Sequence, residues 1–162
     1  MKTLLYVSLL ILMASASPAE AEPAIFLNAF GETATAYVND SFLLLGTIAD
    51  GFVADIIPKE TAADFVGNMQ KRLRVVRSKL KAVSRQPIAI MDKQLIKRLD
   101  EAYACMDQLA WTLLQYIQEK TVDSAKRFEE QRNTCLQRLE SVRQFYATLP
   151  PSDEFPEPLS TR

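Results

Sequence analysis

The sequence predicts an all-α protein, an antiparallel up-down-up-down four-helix bundle. Three observations carry that expectation. Apolar residues recur at alternating spacings of three and four, prolines fall between these periodic segments and never inside them, and strand signals are scarce. The bundle occupies residues 22–149, preceded by a leader and followed by a tail.

The leader comes first. Met1-Lys2 supplies a positive start, Leu4 to Met13 is uncharged and mostly apolar, and Ala19-Glu20-Ala21 fits a small-x-small cleavage pattern. Ten helical residues would reach about 15 Å, about half of a bilayer core. Residues 1–21 therefore read as a cleaved signal peptide rather than a permanent span. No Cys stands at the cleavage point to carry a lipid. The expected location is the bacterial periplasm or the exterior, with no transmembrane segment in the mature chain.

The first bundle segment, about residues 24–57, is the most apolar and holds Gly31, Gly46 and Gly51. Asp50-Gly51 is also a hairpin signal. Tyr37, Leu44, Ile48 and Phe52 keep helical spacing, however, and a lone hairpin would have no sheet to join. Helix is the expectation, with a kink near a glycine left open and with the rest of the bundle enclosing it.

The second segment, about 59–85, carries the stripe Ala62, Val66, Met69, Leu73, Val76, Leu80 and Val83. The third, about 88–119, repeats it with Leu95, Leu99, Ala102, Met106, Leu109, Leu113 and Tyr116. Continuing that stripe by sevens meets only polar residues, Lys120 through Glu130. A new stripe, out of phase, begins with Ala125 and Phe128 and runs through Cys135, Leu139, Val142, Tyr146 and Leu149, with Arg132 intruding. The slip predicts a turn at Thr121–Ser124, where capping residues gather, and a fourth helix over about 122–149. Residues 150–162 hold four prolines and three acids and read as a disordered tail.

Cys105 and Cys135 each lie 15 residues from Lys120. In an antiparallel hairpin, equal distances from the turn place them at one height, so a disulfide is expected in an oxidising compartment.

Composition removes much chemistry. The chain has no His, which excludes His-based acid/base catalysis, Ser-His and Cys-His nucleophiles, and His-ligated zinc or haem. No glycine-rich phosphate loop occurs, and Glu129-Glu130 point about 100° apart on a helix. An enzyme is not expected, nor a cofactor or metal. A net charge of −1 argues against nucleic acid as the partner.

Charge is nonetheless segregated. From Glu22 to Ile57 there are five acids and no bases. From Phe65 to Met91 there are seven bases and no acids: Lys71, Arg72, Arg74, Arg77, Lys79, Lys81 and Arg85. At 100° per residue these wrap the outer surface of the second helix, opposite its apolar stripe. This face is the candidate surface for an anionic surface or an unknown protein partner, unless acids of the neighbouring helices neutralise it. The expected function is that of an exported structural or interaction module acting through exposed helix faces. The alternative is a carrier of a small apolar ligand held between the helices. A homodimer that completes the bundle would serve if the first helix does not close it.

Overall fold

The computed structural model describes residues 22–148, with side chains described from Phe30 onward. The expected signal peptide and the Pro-rich tail lie outside the described residues. The described residues divide into two compact units, 22–33 and 34–148. Within the first, the described residues 22–33 are helical. The second contains the remainder of that helix and the three that follow.

Four helices make up the described chain, with no strand among the described residues: α1 (Glu22–Val53), α2 (Lys59–Ser84), α3 (Ile90–Glu119) and α4 (Val122–Ala147). Contacts give their directions. Arg74 meets Asp107 and Arg77 meets Asp100, so α3 is read backwards as α2 is read forwards. Arg127 meets Glu119 and Arg138 meets Glu101, which makes α4 antiparallel to α3. Tyr37 packs on Tyr103 and Phe52 on Tyr116, so α1 runs parallel with α3. These directions are those of a bundle whose neighbours in sequence are linked by short turns.

The turns have clear local causes. α1 stops at Val53 rather than running to residue 57, because the chain closes a C-terminal cap there. The Asp55 amide donates to the Phe52 carbonyl (3.2 Å) and the Ile56 amide to the Gly51 carbonyl (2.9 Å), with Asp55 left-handed at φ 53°. Ile57 then folds against Gly51, where a Cβ would stand 2.7 Å from its Cδ1. A left-handed L-residue is strained, and the Asp55–Lys120 ion pair that partly offsets it is highly exposed. Asp55→Gly is therefore expected to stabilise the fold by about 0.5–1 kcal/mol. Thermal unfolding of the variant measures this; a lowered midpoint would contradict it.

The α3–α4 turn falls where the stripe slips. Lys120 adopts a left-handed conformation, and Thr121 caps α4 in a reciprocal box with Ser124. Pro87 lies between α2 and α3, which begins at Ile90 rather than at residue 88. α1 is one helix from Glu22 to Val53, and none of its glycines has a positive φ.

The expected stripes form the core. Ala62, Val66, Met69, Leu73 and Leu80 of α2 are buried, with Val76 and Val83 half-buried. α1 buries Val38, Leu45, Ile48, Ala49 and Phe52, while Leu43 and Leu44 face outward. Among the described side chains the most enclosed helix is α3, not α1 as its composition suggests. α3 buries twelve side chains on two adjoining stripes, because it contacts α1, α2 and α4 at once. Phe128, Cys135, Leu139, Val142 and Phe145 form the buried face of α4.

Cys105 and Cys135 stand at disulfide distance with Cα atoms 5.5 Å apart, and neither is a free thiol. The Gln131 amide donates toward both sulfurs, at 3.2 and 3.4 Å. Arg132, the residue that intrudes on the stripe of α4, is half-buried. Its guanidinium lies over Gly46, where a Cβ would stand 3.2 Å from Nη2, and it pairs with Glu129 at 3.6 Å. A Cβ there would push the flexible end of Arg132 back by a few tenths of an ångström.

Candidate functional site

Of the seven bases six lie on α2 and Arg85 directly follows it, and they separate by whether an acid of α3 meets them. Positions 74, 77 and 81 recur at helical spacing along the seam between the two helices. Arg74 Nε meets Asp107 Oδ1 at 3.0 Å. Arg77 bridges two acids, Asp100 Oδ1 at 3.2 Å and Asp107 Oδ2 at 3.8 Å. Gln70 Nε2 adds a bond to the Asp107 carbonyl at 3.3 Å. These two arginines belong to the helix–helix seam, and Arg77 is half-buried there.

Lys71, Arg72, Lys79, Lys81 and Arg85 are exposed, and among the described residues no carboxylate stands within ion-pairing distance of any of them. Neutralisation within the bundle thus reaches Arg74 and Arg77 and stops. The physical reason is positional: Asp100 and Asp107 are the acids of α3 that point at α2, and both are taken.

Toward the α2–α3 turn the seam opens into a cleft of about 180 Å³. Lys81 and Ser84 line it from α2, Lys93 and Lys97 from α3, with Leu80 and Ile96 beneath and Asp100 at its inner end. Sequence reasoning missed Lys93 and Lys97, because Asp92 and Asp100 flank them along the chain and dilute the local charge. Their spacing of four was the available signal, since it places both on one helix face.

Trp111 is exposed at the rim of a shallow cleft with Gln70, Arg74, Asp107 and Gln108. Asn39 lies within α1, its Nδ2 donating to the Thr35 carbonyl and its Oδ1 accepting from Arg143, while Ser41 is buried. Among the described residues, no three Cys, Asp or Glu side chains stand close enough to hold a metal ion, and no helix is long and apolar enough to cross a membrane. Comparison with protein-family models, with curated proteins and with solved structures finds no match to this chain.

Proposed function

We propose that this protein is an exported, non-catalytic interaction module that engages an anionic partner through the outer face of α2. The observation that carries the reading is the set of five bases without an ion pair among the described residues, Lys71, Arg72, Lys79 and Lys81 on α2 and Arg85 at its C-cap. Such a set raises the local concentration of any anionic partner and is weakened by salt. Export is supported by the apolar leader after Met1-Lys2 and by a cysteine pair suited to an oxidising compartment. A non-catalytic role is supported by the absence of His and of any facing pair of carboxylates that the sequence could nominate.

Lys71→Glu, Arg72→Glu and Lys79→Glu change only exposed positions that make no ion pair, so the bundle should fold as before. The triple variant is expected to lose about a hundredfold or more in affinity for an immobilised sulfated polysaccharide, the polyanion used as probe. Near-UV circular dichroism checks the fold. A correctly folded triple variant that elutes at the same salt as the parent would overturn the proposal.

A further inference from the structure

We infer that the α2–α3 end of the bundle docks on the surface of an anionic bilayer, an assignment that rests on the anion-binding reading of α2 and names its partner. The argument begins with the seam, where the ladder of ion pairs runs out. Arg74 and Arg77 are matched by Asp107 and Asp100, but the last third of the seam brings Lys81, Lys93 and Lys97 around one cleft. Asp100 is already engaged by Arg77, and the other nearby acid, Asp92, sits in the first turn of α3. Arg98 is spent elsewhere, its Nη1 donating to Ser141 and its guanidinium lying 4.9 Å over the Phe145 ring. Three lysines around a cleft whose one acid, Asp100, is already held by Arg77 carry excess positive charge, and a bound anion relieves their repulsion.

Apolar exposure at the same end distinguishes a bilayer from a soluble polyanion. Ile90 is 76% exposed and Met91 44% exposed, at the first two positions of α3. Ile90 precedes Lys93 by three residues and Lys97 by seven, so all three share a face. Under the lysines the cleft floor is Leu80 and Ile96. Cationic head groups over apolar ground, beside a protruding Ile and Met, match phosphate head groups above acyl chains. A polysaccharide or a polyphosphate offers nothing to bury Ile90. Arg85, four residues after Lys81 and just past the end of α2, extends the positive border.

The test is vesicle flotation of the protein purified from the exported fraction of its own host. Vesicles of phosphatidylcholine alone are compared with the same lipid carrying about one-third phosphatidylglycerol. The protein is expected to float with the anionic vesicles, to stay behind with the neutral ones, and to be released at about 0.5 M salt. Lys81→Glu, Lys93→Glu and Lys97→Glu together should weaken anionic binding about a hundredfold. Ile90→Asn with Met91→Asn should weaken it about tenfold while leaving retention on the sulfated polysaccharide unchanged. If the lysine triple variant fails to fold, the Lys→Gln versions and the Ile90/Met91 pair carry the test. Equal flotation of these variants and the parent would overturn the inference, as would equal binding to neutral vesicles. A parent held by the polysaccharide yet indifferent to anionic vesicles would sink the bilayer and spare the anion-binding reading. A parent that binds neither would sink both.

Discussion

Reduction of the Cys105–Cys135 pair is expected to lower the free energy of unfolding by about 4 kcal/mol. The sequence separation is 30, and closing a loop of that size removes about this much chain entropy from the unfolded state. The loop contains the end of α3, the Lys120 turn and the start of α4, so its loss frees the whole hairpin in the unfolded ensemble. Urea unfolding monitored by circular dichroism, with and without a thiol reductant, should show the midpoint fall by about 2 M. The double variant Cys105→Ser and Cys135→Ser should behave as the reduced protein does, with a further small cost because both positions are buried. The oxidised protein should weigh about 2 Da less than the reduced one, for the two hydrogens lost. Coincident urea curves under both conditions would show that the bond does not form or carries no stability.

The second large effect is expected at Tyr103. Its ring is fully buried and stacks on Tyr37 with centroids 6.3 Å apart, while its hydroxyl donates to the Ala34 carbonyl at 2.7 Å. Tyr103→Ala removes ring and hydrogen bond together and should cost about 4 kcal/mol, in the range for deleting a buried aromatic side chain. Tyr103→Phe keeps the ring and should cost only about 1 kcal/mol, the value of one buried hydrogen bond, because the Ala34 carbonyl lies within α1 and keeps its backbone donor. Burial, aided by the neighbouring Tyr37, pushes the Tyr103 phenol above its ordinary value. The sign follows from linkage. The neutral phenol is favoured in the fold, so its contribution is complete below about pH 10 and is lost as pH rises toward the raised folded-state value. The parent should therefore lose stability above about pH 10 more steeply than Tyr103→Phe. Parallel alkaline curves for the two would refute the assignment of that loss to Tyr103.

These two predictions differ in how far they could be read before the fold was known. The cysteine pair was legible because a turn at Lys120 makes heights on the two helices a matter of counting, and the turn itself was marked by a phase slip in the apolar stripe. Tyr103 was not. It lies one residue beyond Ala102 and outside the stripe that spacing picks out, and it is buried only because α1 packs on that flank of α3. The same cause explains why α3 rather than α1 is the enclosed helix. Apolar content measures what a helix can bury, whereas the number of neighbours decides what it does bury. Leu44 and Leu45 show the limit at single residues: adjacent in sequence and alike in chemistry, one is exposed and the other buried.

The sequence by itself determined the helical class, the positions of the turns between the described helices and the segregation of charge. All three depend on local periodicity, capping chemistry and composition, which neighbours along the chain supply. Tertiary structure alone decided which bases are free. Whether an arginine on α2 is neutral in effect depends on which side chains α3 turns toward it, and only side-by-side packing brings Asp107 to Arg74 and Asp100 to Arg77. The same packing sets Lys93 and Lys97 beside Lys81, more than ten residues away along the chain, because Coulomb energies follow distance in space and not separation in sequence.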